Sequence, residues 1–255
     1  MNFRAFHAAG SGHTALTGAV RDCLIVDDDP VSRRSIAHHL TRLGVKVREV
    51  DAAESAFGIW RQWRPSAVLI DCVLPGGDGY GLAGSIREHE RRRPGDLRSL
   101  LIAVSGQSDP AHWRRCERAG MDGALAKPAR VTDVVRSLGL GGTSRAAAEP
   151  APPSQHLELR CLYASSCGPE LQTVFEALSR GHDEQVRHHA HRIAGASLVV
   201  GATEVAAAAQ RLTEAVRDGL SEVELASRAA ALSHAYAHWH GQNALPAALP
   251  GPCIA

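Results

Sequence analysis

Three successive carboxylates, Asp27-Asp28-Asp29, close the apolar run Leu24-Ile25-Val26, and Asp71 closes a second run, Val68-Leu69-Ile70. Acids grouped in this way repel one another and raise each other's pKa unless a cation neutralises them. A hard divalent ion with oxygen ligands answers that need, and Mg2+ suits a site that must also hold phosphate. Two further apolar runs end on useful side chains: Ser105 follows Leu101-Ile102-Ala103-Val104, and Lys127 follows Ala124-Leu125-Ala126. Asp71 as nucleophile, a metal and the Lys127 ammonium on phosphoryl oxygens, and a hydroxyl donor make a site that can accept a phosphoryl group.

The second half carries a different candidate. Taken as a helix, Asp183 to Val200 puts Val186, Ala190, Ile193, Ser197 and Val200 on one core-facing stripe. His191 then lies roughly 130° from the centre of that stripe and projects towards solvent. Gly195 stands one turn later on the same side, where a glycine costs about 1 kcal/mol relative to alanine. Clearance for another protein's surface gives that glycine a purpose. An exposed imidazole beside open space suits reversible phosphorylation on nitrogen.

These residues need elements to position them. Short apolar runs at Cys23–Val26, Val45–Val50, Ala67–Ile70, Leu100–Val104 and Ala124–Ala126 alternate with helix-like stretches. The latter are Pro30–Leu43, Ala52–Trp63, Tyr80–Arg91, Pro110–Ala119 and Val131–Leu138. Five strand–helix units in series predict a parallel sheet covered on both faces, and ligands gather at the carboxyl ends of such strands. Gly44 reads as a helix stop, Asp51 as a cap for the second helix, and Asp109-Pro110 as a cap followed by a first-turn proline. Residues 139–156 have linker composition. From Leu157 to about His240 the pattern is helical, with Gly181, Gly201 and Gly219 at helix ends, and predicts a small antiparallel bundle. The expected division is a flexible extension at 1–20, an α/β domain at 21–138, the linker, an all-α bundle at 157–240 and a flexible tail at 241–255.

Composition narrows the function classes. The chain has 255 residues, 44% of them hydrophobic and 22% charged, with a formal net charge of +1. Such a chain can bury a core, and it offers no electrostatic case for nucleic acid. No apolar run reaches the length of a membrane span, and Met1 to Val20 lacks the pattern of a secretory leader. The expectation is a cytoplasmic protein with no nucleic-acid partner and no membrane insertion. Its six cysteines are scattered without metal-ligand spacing and read as free buried thiols.

Residues 22 to 138 resemble a two-component receiver domain of flavodoxin-like, five-stranded architecture. The matching pieces are Val26-Asp27-Asp28-Asp29-Pro30, Asp71 with Leu74-Pro75 and Asp78-Gly79, Ser105-Gly106, and Lys127-Pro128. The resemblance implies that Asp71 is phosphorylated. It further implies that Asp28, Asp71 and the Val73 carbonyl bind Mg2+ directly, that Asp27 acts through water, and that Ser105 and Lys127 contact the phosphoryl group. Ala124 stands where many receivers carry an aromatic residue.

The stretch Ala190-His191-Arg192-Ile193-Ala194-Gly195-Ala196-Ser197 is similar to the histidine phosphotransfer domain pattern, with Ala194 in place of the usual lysine and Arg187 or Arg192 as substitutes. Together the two resemblances imply a phosphorelay. Asp71 would accept a phosphoryl group from a sensor or hybrid histidine kinase, and His191 would pass it to or from the aspartate of a downstream receiver domain. Such a chain is a phosphotransfer protein with self-catalysed aspartyl phosphorylation rather than a turnover enzyme. One alternative is an interaction switch in which the bundle only docks. Another is a phosphatase of the haloacid-dehalogenase type, for which Asp27-Asp28-Asp29 supplies the Asp-x-Asp spacing. In that reading Pro30-Val31 replaces the expected hydroxyl-rich turn, and Asp71 has no task.

Overall fold

The computed structural model describes residues 3–5, 20–74, 77–93, 95, 97–106, 109–127, 129–140 and 152–243. The chain forms two compact units, Met1–Pro150 and Ala151–Ala255. Expectations for Pro75, Pro128 and the tail from Ala244 lie outside the described residues, as do most of the 1–20 extension and the middle of the linker.

The first unit is built in the order β1 (Phe3–Ala5), β2 (Asp22–Val26), α1 (Pro30–Arg42), β3 (Lys46–Val50), α2 (Ala53–Trp63) and β4 (Ala67–Asp71). A short ladder of β5 (Val73–Leu74) and β6 (Gly77–Asp78) follows, then α3 (Gly79–Arg91), β7 (Leu100–Ser105), α4 (Pro110–Arg118), β8 (Gly123–Ala126) and α5 (Val131–Ser137). The main sheet runs β1-β8-β7-β4-β2-β3. Its five expected strands pair in parallel. The sixth, β1, is a correction to the reading of residues 1–20 as a loose extension: it pairs antiparallel with β8, Phe3 opposite Leu125.

Strand alternation sorts the core. Leu24, Val26, Val68, Ile70, Leu101 and Ala103 join Trp60, Leu82, Ile86 and Cys116 on one face. Cys23, Ile25, Ala67, Leu69, Ile102 and Val104 join Ile36, Leu40, Val134 and Leu138 on the other. Each Val, Leu or Ile among them contributes about 1.5–3 kcal/mol when fully buried. Because β2 lies between β3 and β4, the chain reverses direction of travel across the sheet there, and a crevice opens beyond the ends of β2 and β4.

Helix starts follow local chemistry. Asp29 caps α1 by accepting from the Val31 amide at 3.0 Å, with Pro30 in the first turn. Asp109 caps α4 by accepting from the amides of Ala111 and His112, both at 2.9 Å. Asp51 does not cap α2: the N-cap is Ala52, which has no side chain able to bond.

The described residues of the second unit form four helices: α6 (Pro153–Ser179), α7 (Asp183–Val199), α8 (Thr203–Arg217) and α9 (Glu222–Gln242). Each packs on the next, and α9 returns to α6, closing a bundle. Gly181, Gly201 and Gly219 sit at the turns with φ of 66°, 75° and 69°, the left-handed region that side chains disfavour. The first helix starts at Pro153, inside the stretch read as linker, because a proline is well suited to a helix's first turn. The last runs two residues beyond His240. In the core the Tyr163 hydroxyl donates to Ser197 Oγ at 2.8 Å, and Ser197 donates to the Ile193 carbonyl at 2.6 Å, so both buried hydroxyls are satisfied.

Candidate functional site

The ends of β2, β4 and β8 bring the acidic residues and the lysine together. Lys127 Nζ lies 2.5 Å from Asp71 Oδ2 and 2.8 Å from Asp27 Oδ2. Carboxylate oxygens of Asp27, Asp28 and Asp71 all lie within 4.8 Å of one another, and the three residues are buried. Asp71 Oδ1 accepts from the Val73 amide at 2.9 Å. Ser105 is buried at the end of β7, and its carbonyl accepts from the Lys127 amide at 2.7 Å. A hard, oxygen-only donor set of this kind fits Mg2+ rather than a thiophilic ion.

Sequence reading missed two supports of Asp27. Ser32, one turn into α1, donates to its Oδ2 at 2.9 Å, and Arg33 donates to its carbonyl at 2.5 Å. Both fall on the helix that Asp29 starts, so the cap chemistry was their one local signal.

Electrostatics set the protonation states. Burial pushes the Asp71 carboxyl up to about 6; Lys127 pulls against that shift, and Asp27 adds to it. Burial would lower the Lys127 ammonium, yet the charges of Asp27, Asp71 and Asp29 outweigh it and hold that pKa above the usual lysine value. Lys127 is therefore a fixed positive charge, while Asp71 is a carboxylate that a mildly acidic medium protonates.

The glycine of Asp78-Gly79 has a steric reason. A Cβ at Gly79 would meet the Asp71 carbonyl oxygen at 2.1 Å, and that neighbour is backbone with no freedom to swing away. Gly79→Ala must displace the end of β4 or the start of α3. The expected cost is about 3 kcal/mol, at the upper end for overpacking. Urea unfolding should show it as an earlier transition for the first unit, accompanied by weaker Mg2+ binding.

Val186, Ala190, Ile193 and Ser197 of α7 and Val200 at its C-cap are all buried, as the stripe requires. His191 and Gly195 lie off the stripe and are half-buried, so the imidazole is less open than full projection into solvent would make it. Glu170 of α6 gathers the neighbours of His191. Its Oε2 accepts from His189 Nδ1 at 2.5 Å, and its Oε1 lies 3.0 Å from Arg192. Arg187 pairs with Glu184. Ala194, where a lysine would be usual, is buried.

The cysteines are less scattered in space than in sequence. Cys72 and Cys116 are 3.9 Å apart at sulfur, although 44 residues separate them. Among the described residues, no helix is long and apolar enough to cross a membrane.

Comparison with known proteins agrees with this geometry. The family model for the response regulator receiver domain matches residues 23–138, and that for the Hpt domain matches residues 158–243. The virulence sensor protein BvgS of Bordetella pertussis is 36% identical over 132 residues, covering 51% of this chain and 10% of the relative. The sensor histidine kinase AruS of Pseudomonas aeruginosa is 29% identical over 237 residues, covering 87% of this chain and 23% of the relative. The chain thus spans no more than about a quarter of these relatives' length. Among solved structures, the receiver domain of the histidine kinase CKI1 from Arabidopsis thaliana, complexed with Mg2+ and BeF3-, is 26% identical. That match covers 47% of this chain and 90% of the other, with a TM-score of 0.41. Residues 23–138 therefore belong to the response regulator receiver domain family and residues 158–243 to the Hpt domain family, a pairing that supports a role in phosphorelay signal transduction.

Proposed function

We propose that the chain relays a phosphoryl group between Asp71 and His191. The observation that carries this reading is the contact of Lys127 with Asp71, beside Asp27 and Asp28 and at the switch point of the sheet. An Asp71 carboxylate oxygen attacks the phosphorus of a kinase phosphohistidine. The P–N bond breaks, and the imidazole leaves with the electron pair. Lys127 meets the charge on the phosphoryl oxygens, with Ser105 as hydroxyl donor. Mg2+ would be held by Asp28, Asp71 and the Val73 carbonyl, with Asp27 acting through water; when bound it neutralises the acids and the transferring oxygens. His191 then takes the group from the acyl phosphate and hands it to a receiver on another protein, or the flow runs in reverse. The partners on this reading are a sensor or hybrid histidine kinase and a further receiver domain, in the cytoplasm, with neither nucleic acid nor membrane insertion involved.

The experiment is chemical. The full chain is loaded from a histidine kinase with radiolabelled phosphate, and the label is tested in acid, in alkali and with hydroxylamine. Acyl phosphate is lost to alkali and hydroxylamine, whereas phosphohistidine survives alkali and is lost in acid. Both classes should appear in sequence, and label of the first class alone would leave the bundle as a docking module.

A pH dependence follows from the buried acid. Because the Asp71 carboxyl titrates near 6, protons compete with Mg2+ below that pH. Mg2+ affinity measured by calorimetry should fall about tenfold per pH unit below about 6 and be flat from 7 to 8. An affinity that is unchanged between pH 7 and 5 would remove Asp71 from the metal site.

A further inference from the structure

A second cluster sits in the receiver core, and none of its members takes part in the phosphoryl chemistry proposed above. Cys72 Sγ is 3.9 Å from Cys116 Sγ, and Cys116 Sγ is 3.6 Å from His112 Nε2. The three potential ligand atoms all lie within 4.8 Å of one another, and all three residues are buried. His112 and Cys116 are four apart on α4 and so share one face. Cys72 comes from the turn after β4.

The spacing matches a metal's requirements. Zinc bonds of about 2.3 Å to sulfur and about 2.0–2.1 Å to nitrogen, at tetrahedral angles, put two ligand sulfurs about 3.8 Å apart and a sulfur and a nitrogen about 3.6 Å apart. The imidazole is already oriented for the task. Its Nδ1 is bonded to the Tyr80 hydroxyl at 2.7 Å, which leaves Nε2 facing the sulfurs. Ligating histidines are usually held in this way through the other ring nitrogen. Arg115 lies over the Tyr80 ring at 4.2 Å and braces it from outside.

We propose that Cys72, His112 and Cys116 form a binding site for a thiophilic d10 cation, Zn2+ in particular, in the core of the receiver domain. Binding releases the two thiol protons to solvent, and two thiolates with Zn2+ and a neutral imidazole make an uncharged unit that suits an apolar interior. The bound ion straps α4 to the turn that follows Asp71. Its donors are soft where those of the phosphoryl site are hard, so Mg2+ and Zn2+ sort between the two sites by chemistry.

The test uses the full chain, reduced, stripped with a chelator and supplied with Mg2+ to fill the carboxylate site. Titration with Co2+ should produce thiolate-to-cobalt charge-transfer bands and tetrahedral d–d bands that saturate at one equivalent and vanish when Zn2+ is added. Cys116→Ser and His112→Gln should each weaken the bands' Co2+ affinity at least a hundredfold, whereas Cys161→Ser should leave it unchanged. Alkylation mapping provides a readout without mutation: Zn2+ should protect Cys72 and Cys116 at least tenfold, and the chelator should remove the protection. Zn2+ binding without sulfur bands would place the ion on the histidine-rich second unit and overturn the proposal. Bands that survive both substitutions, or no protection of Cys72 and Cys116, would overturn it equally.

Discussion

Asp71→Asn is expected to take up no label from acetyl phosphate and Mg2+, under conditions where the parent chain labels to completion. The amide has no carboxylate oxygen to form the acyl phosphate, and Asp27, the other acid in contact with Lys127, is already engaged by Ser32. The same substitution reports on stability with a defined sign. The folded Asp71 carboxyl titrates near 6, mainly because it is buried, against 3.8 for the free group. Its favourable contribution is therefore complete below pH 3.8 and is lost as pH rises through about 6. In Mg2+-free buffer at pH 7.5 the asparagine form should be the more stable, by on the order of 2–3 kcal/mol, and the two forms should converge near pH 4. Mg2+ should narrow the gap at pH 7.5, because it stabilises only the parent. Labelling of the variant at the parent rate would move the acceptor elsewhere. A variant less stable than the parent at pH 7.5 would mean that the ion pair with Lys127 outweighs burial.

His191→Gln should leave uptake at Asp71 intact and eliminate the alkali-stable label, a loss of at least a thousandfold in transfer. The substitution lies off the buried stripe of α7, so its stability cost should stay below that of a core substitution. His189→Gln is the informative contrast. That neighbour is engaged by Glu170, and its loss should weaken the packing of α7 on α6 while the alkali-stable label persists. If His189→Gln abolished the label and His191→Gln did not, the acceptor would be the wrong histidine of the pair. Transfer is expected within one molecule. The two units share one chain, and a short tether gives effective concentrations around millimolar. The rate should then be first order and independent of protein concentration; a rate proportional to concentration would mean transfer between molecules.

The helices and parallel strands were legible because the sequence states them several times over. Apolar runs, the Asp109-Pro110 cap and the glycines at helix ends agree on the same boundaries, which the structure meets within about a residue or two except at the first bundle helix, which starts four residues before Leu157. Strand ends carrying Asp27, Asp71 and Lys127 were readable for the same reason, since a parallel sheet converts strand ends in sequence into neighbours in space. What escaped was non-local or backbone-made. Strand β1 has three residues and pairs through main-chain groups, so it leaves no alternation to read. Asp51 looked like a cap, but the chain turns one residue later, at Ala52. Cys72, His112 and Cys116 meet only because α4 packs over the end of β4, and no spacing in the sequence encodes that contact. Glu170 sits in a different helix from the histidines it gathers, so helical periodicity within α7 gave no hint of it.

The short strand at the chain's start has a practical consequence for anyone handling the protein. A sheet edge left open is a template on which another chain can add, and Phe3–Ala5 covers the outer backbone of Gly123–Leu125. Removing Phe3–Ala5 would bare that edge right beside Lys127. Self-association by strand addition should follow, and preparations that differ only in this strand would then differ in solubility.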